Sequence, residues 1–222
     1  MPHTVRVWDL PTRIFHWTLM ACVLGLIVTG QIGGSAMDWH FRLGYTVLAL
    51  LLFRLLWGFV GGHWSRFVNF LYSPATLLRY LRSRNSPGHE IGHSPLGALS
   101  VFALLLMLLL QVGTGLISDD EIATSGPLAR LAPGAWVSLA TSYHAKLGKL
   151  IVIALALLHM AAIAYYRLHH GKNLVRAMLV GDKVLDTPAA IASRDDARSR
   201  ALAAVLMALC AGLVVALLAW AA

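Results

Sequence analysis

The 222 residues are 58% hydrophobic and only 13% charged, with a mean hydropathy of +0.70. That excludes an ordinary water-soluble domain, which needs far more polar surface to cover its core. The net charge of +8 reads as topology and lipid headgroups, and nothing beside it points to nucleic acid.

A bilayer core is crossed by about 20 apolar residues. Five stretches meet that length, near 14–33, 41–62, 96–118, 144–166 and 201–221. The expected fold is therefore all-α and polytopic. The first span is too long for the apolar core of a signal peptide, and Trp8 and Asp9 do not suit the region before one.

Lys and Arg are placed unevenly. The stretches 1–13, 63–95 and 167–200 hold thirteen, whereas 34–39 and 119–143 hold one, Arg130. This positive-inside pattern predicts a cytoplasmic N-terminus and an outer C-terminus.

Between spans two and three, "SPATLLRYLRSR" (73–84) predicts a short interfacial helix. Ser73 caps it, Pro74 suits its first turn, and leucines with Tyr80 face lipid while three arginines face phosphate. "NLVRAMLVGDKVL" (173–185) predicts a second such helix. The outer loop 119–143 starts "DDE" and carries Gly126, Pro127, Pro133 and Gly134, which read as turns. The fifth span has neither charge nor histidine. Cys22 and Cys210 lie in separate spans, outside any CxxC or CxxCH pattern, and read as packing residues.

Four of ten histidines lie in or at the ends of spans: His16, His40, His144 and His159. Polar groups there are costly and usually functional, although a single one often just bonds a neighbouring carbonyl. Their depths sort them. His144 and His159 are 15 residues apart on one span, or about 22 Å along a helix. His40 starts its span level with His144, and His16 starts its span level with His159. The result is an outer pair and an inner pair. Two imidazoles on facing helices are what a haem iron takes as axial ligands.

The outer members share a pattern, "HFRLG" from His40 to Gly44 and "HAKLG" from His144 to Gly148. Each glycine lies one turn beyond its histidine on the same face, where a flat macrocycle needs clearance or where helices pack closely. "QVGTG" (111–115) can thin the third span in the same way. Arg54 needs either a partner, such as the propionates of an inner haem, or a route to the inner headgroups. Arg42, Lys146 and Lys149 stand near the outer pair.

"VWDLPTRIFHW", "PGHEIGHSPLG" and the "YHAKLGKL…LLHM" helix resemble the bacterial cytochrome b561 family, which includes the b-type cytochrome subunits of membrane-bound nickel–iron hydrogenases. The resemblance covers roughly residues 5–185. It implies a four-helix transmembrane bundle with two haems b, His16 and His159 holding the inner one and His40 and His144 the outer one. It also implies electron exchange with quinone and a redox partner, and places His93 toward the inner haem or the interface. The fifth helix is an addition to the shortest members.

The expected organisation is a di-haem domain over 1–185, then a linker and fifth helix over 186–222. The expected role is an electron-transfer subunit of the bacterial inner membrane, with cofactor-binding residues His16, His40, His144, His159, Arg54, Gly44 and Gly148. It would pass electrons between quinone and a c-type cytochrome or a dehydrogenase or hydrogenase. Other readings are a stand-alone superoxide:quinone oxidoreductase and a histidine-lined ion carrier. A further one is an intramembrane zinc protease using "HEIGH" (89–93), a motif that Pro87, Gly88, Gly92 and Pro95 keep from forming a long helix.

Overall fold

The computed structural model describes residues 3–82, 91–122, 124–185 and 191–221. Among them are five helical runs long and apolar enough to cross a membrane: Leu10–Ile32, Gly34–Val60, Pro95–Leu116, Gly134–His170 and Ala197–Ala221. The protein is a helical membrane bundle, as the apolar spans predict.

Helix α1 (Leu10–Ile32) begins four residues before the apolar run does. The Asp9 carboxylate caps it, accepting from Thr12 N at 2.8 Å, and satisfies an amide that would otherwise be orphaned. Gly33 and Gly34, at φ 66° and 54°, turn the chain into α2 (Met37–Val60). In the most apolar window of the second run 44% of residues are buried, against 11–17% in the other four. The second run is therefore the most buried of the five.

The stretch expected to be a short helix forms α3 (Pro74–Arg82), with Ser73 Oγ accepting from Thr76 N at 3.2 Å. Residues 83 and 84 of the expected stretch lie outside the described residues. Helix α4 is Pro95–Leu116. The next run is longer than the sequence suggests. Residues 134–142, expected in the outer loop, form α5 (Gly134–Ser142), with Pro133 at its N-cap. A π-helical segment, Tyr143–Gly148, continues into α6 (Lys149–His170). The turn residues set only where the run begins.

The expected helix over 173–185 is half correct. Helix α7 (Leu174–Val180) ends at Gly181, which is left-handed at φ 92°. Its carbonyl accepts from Val7 N and Trp8 N at 2.8 and 2.9 Å, and this steers the chain away from a further turn. Strand β2 (Asp182–Leu185) follows and pairs antiparallel with β1 (His3–Arg6), Arg6 opposite Asp182. Arg6 also holds Asp182 and Asp195 at 2.6 and 2.7 Å. Asp195 reaches Arg200 on α8 (Ala197–Ala221) at 3.0 Å.

Contacts divide the chain into two units. One comprises Met1–His16, Arg54–Ala103 and Leu158–Leu206. Its packing centres on Val7, Trp8 and Ala177 with Trp64, Ile91 and Met178. The other comprises Trp17–Phe53, Leu104–Leu157 and Met207–Ala222, and α2 contributes fully buried Val47, Leu51 and Phe53 to it.

Candidate functional site

Each unit brings two of the four span histidines together. In the second unit, His40 on α2 faces His144 in the π-helical segment, with ring centroids 6.0 Å apart and planes at 85°. In the first, His16 on α1 faces His159 on α6 at 6.4 Å and 51°. A direct N–H···N contact at about 2.9 Å, with each nitrogen about 1.1 Å from its ring centre, would bring the centroids to about 5 Å. Two imidazole–metal bonds of about 2.1 Å in line would hold them about 6.4 Å apart. Both separations exceed a direct N–H···N contact; they fall in the range of edge-to-face ring packing and also admit one metal ion between the two rings.

In the outer pair the remaining ring nitrogens are committed. His40 Nδ1 lies 3.1 Å from Leu26 O and 3.3 Å from Thr29 Oγ1, and the Thr29 hydroxyl itself donates to Gly25 O at 2.7 Å. His144 Nδ1 lies 2.8 Å from Gln111 O. A carbonyl only accepts, so Nδ1 carries the proton in each ring and Nε2 keeps its lone pair. Hydrogen bonds of this kind orient metal-binding imidazoles and raise their basicity. Gln111 also donates from Nε2 to His144 O at 2.9 Å. That carbonyl lies in the widened π segment, the kind of local irregularity often found at functional sites.

Glycines make room for the rings. A Cβ on Gly115 would stand 2.8 Å from His144 Cε1, and one on Gly30 3.1 Å from His40 Cε1. Gly44 has nothing within 4 Å of such an atom and lines a cavity of about 300 Å³ with His40, His144, Gly30, Gly115 and Lys149. Gly148 instead packs against the Gln111 side chain and the Tyr143 ring. Lys149 Nζ donates to Gln31 Oε1 at 3.2 Å, and Arg42 rests 5.3 Å over Trp39. Thr29–Gly30 and Thr114–Gly115 form a repeated pair. Each threonine hydroxyl bonds four residues back, at 2.7 Å, and each glycine fronts a histidine. The echo is visible in the sequence as the dipeptide Thr-Gly at 29–30 and 114–115.

In the first unit Asp9 is fully buried and accepts from Thr12 N, Trp57 Nε1, Gly62 N and Ser65 Oγ. It thereby ties the start of α1, two turns before His16, to the end of α2. Arg54 is 3% exposed, with its guanidinium 4.7 Å over Phe67. His93 lies between Trp8 and Phe70, at 4.7 and 4.4 Å. Burial, aided by the charges of Arg54, Lys183 and His159, pushes its imidazole down to about 3. His89 and Glu90 of "HEIGH" lie outside the described residues. Among those described, no group of three His, Cys, Asp or Glu side chains is placed to hold a metal ion.

Residues 7–181 match the model of the family described as prokaryotic cytochrome b561. A probable Ni/Fe-hydrogenase 1 B-type cytochrome subunit of Escherichia coli K12 is 27% identical over 141 residues, 52% of this chain and 60% of that protein. A probable Ni/Fe-hydrogenase B-type cytochrome subunit of Bradyrhizobium diazoefficiens is 24% identical over 81% of this chain and 86% of its own length. One from Azotobacter vinelandii is 32% identical over 46% of this chain and 54% of its own. The chain thus spans little more than half the length of some of these relatives. No solved structure matches.

Proposed function

We propose that this chain, which belongs to the prokaryotic cytochrome b561 family, is a di-haem b-type membrane cytochrome that carries electrons across the bilayer. The observation that carries this reading is that the four span histidines come together as two pairs on facing helices, with centroids 6.0 and 6.4 Å apart, a spacing that admits one iron in each. The committed Nδ1 atoms of the outer pair and the small residues before them support it.

Haem b, when bound, supplies a one-electron carrier. The rest is the work of the protein. His16 and His159 would hold the inner group, and His40 and His144 the outer one. Paired imidazoles of this kind would hold each haem as an electron carrier, which favours electron transfer over substrate chemistry at the metal. Leu26 O and Gln111 O hold the outer rings in one tautomer. Gly30, Gly44 and Gly115 keep the space beside them clear. Residues 1–185 form the haem-binding domain, and 186–222 the linker and fifth helix.

The chain lies in the bacterial inner membrane with its N-terminus in the cytoplasm, on the strength of the Lys and Arg distribution. It exchanges electrons with quinone and with a hydrogenase, the partner that the names of its relatives carry. A c-type cytochrome or another dehydrogenase would meet the same requirement.

The test is a reduced-minus-oxidised spectrum of purified protein with a pyridine haemochrome count. Two low-spin haems b per chain are expected. His16→Ala or His159→Ala should remove one, and His40→Ala or His144→Ala the other. Folded protein without haem would overturn the reading.

A further inference from the structure

Among the described residues of the first unit, several buried polar atoms make no hydrogen bond, and two of them lie on elements packed beside the inner histidine pair. Arg54 Nη1 and His93 Nδ1 are both sealed from solvent, and neither makes a hydrogen bond. A guanidinium 3% exposed is costly to bury without an anion. Asp9 acts on Arg54 through its charge alone, because its oxygens accept from Thr12, Trp57, Gly62 and Ser65. The two orphans share one aromatic floor. Arg54 lies on Phe67 at 4.7 Å, Phe67 meets Phe70 at 5.8 Å, and Phe70 meets His93 at 4.4 Å. His93 is also within electrostatic reach of both Arg54 and His159. The two unpartnered polar atoms therefore belong to the neighbourhood of the inner histidine pair.

We infer that Arg54 and His93 form a carboxylate clamp that takes a propionate of the inner haem. The inference rests on the di-haem reading above. A fixed cation and a sealed ring nitrogen call for an acceptor that carries charge. A quinone carbonyl would satisfy one donor but bring no charge and no second oxygen at the same end. A propionate supplies two oxygens and the negative charge, and it arrives with the group that His16 and His159 hold. Phe67 and Phe70 provide an apolar bed, on which such a pair is stronger than in water.

The experiment uses purified holoprotein whose haem carries ¹³C at the propionate carboxyls. Redox-difference infrared spectra report the labelled carboxylates, and a potentiometric titration reports each haem's midpoint. Arg54→Gln and His93→Phe should each shift the labelled carboxylate bands of one haem. Arg54→Gln should also lower that haem's midpoint by about 59 mV, a tenfold change in a one-electron equilibrium, because a cation that favours the reduced state is lost. Arg54→Lys should restore the midpoint but not the band position. The outer haem, unchanged throughout, shows that each variant is folded. Unmoved labelled bands with both haems present would overturn the clamp, as would bands that move in neither haem while a quinone signal changes. A wild-type protein without two haems would remove the clamp together with the reading beneath it, and the haem count distinguishes that case.

Discussion

Gly44 separates a haem pocket from ordinary close helix packing, because Gly44→Leu has opposite consequences in the two cases. Glycine inside a helix costs about 1 kcal/mol relative to alanine, and leucine is nearly as good a helix former. No protein atom lies within 4 Å of the position a Cβ would take, so the substitution meets no clash in the chain itself. Judged on the protein alone it should stabilise by about 1 kcal/mol, or about 2–4 °C in Tm for a chain of this size. The new side chain enters the cavity of about 300 Å³ beside His40 and His144. A haem filling that space would be overpacked by about 1–3 kcal/mol, which is about 5- to 150-fold in affinity. The assay is a pair of thermal melts, on haem-free protein from haem-starved cells and on haem-loaded protein, with a haem count for each. A rise in the first and selective loss of one haem in the second is the expected pattern. Two haems held at wild-type affinity, or a destabilised haem-free protein, would refute the assignment of the cavity.

Gly115→Ala should act on the same haem through a different cause. Its Cβ would stand 2.8 Å from the His144 ring and would push Nδ1 off Gln111 O, so outer-haem affinity should fall about 10–100-fold in a haem titration while the inner haem is kept. Asp9→Ala leaves buried donors from Thr12, Trp57, Gly62 and Ser65 without an acceptor. It should cost about 3–5 kcal/mol, read as a large drop in Tm together with loss of the inner haem. His93 gives a pH test in haem-free protein. Its folded value of about 3 lies below an unfolded value of about 6.5, so the unfolded chain binds the extra proton. Stability is then complete above about pH 6.5 and falls as the pH drops toward the folded value, by about 2 kcal/mol between pH 7 and 5. His93→Phe should abolish that slope in denaturant titrations, and an unchanged slope would exclude His93 as its source.

The architecture was legible because its signals are local. Apolar runs give spans, and the Ser73 and Pro74 pair gives the start of α3. Two features escaped because a neighbour far along the chain decides them. Nothing within "NLVRAMLVGDKVL" says that its end becomes a strand. The pairing with His3–Arg6, and the Arg6 bridge to Asp182 and Asp195, make it one. Residues 134–142 read as loop because turn formers surround them, yet Pro133 and Gly134 only open a helix there.

The histidines stood out for an energetic reason, since imidazole inside an apolar span is costly and needs a use. What tunes them is carried by groups with no residue signature. Leu26 O and Gln111 O fix the outer tautomers, but every residue has a carbonyl, so no pattern could single these out. The glycines divide along the same line. Spacing within one helix pointed to Gly44 and Gly148, four residues beyond each histidine. The rings themselves are cleared across helices, by Gly30 on α1 for His40 on α2 and by Gly115 on α4 for His144. Clearance along a helix is written in the spacing of one segment. Clearance between helices appears only as a coincidence of two, here the Thr–Gly pairs at 29–30 and 114–115, each threonine bonding back along its helix and each glycine turned toward the partner's histidine. In a bundle built around flat groups the second kind should mark the binding positions more faithfully, because the group sits between helices and only residues facing across that gap can admit or exclude it.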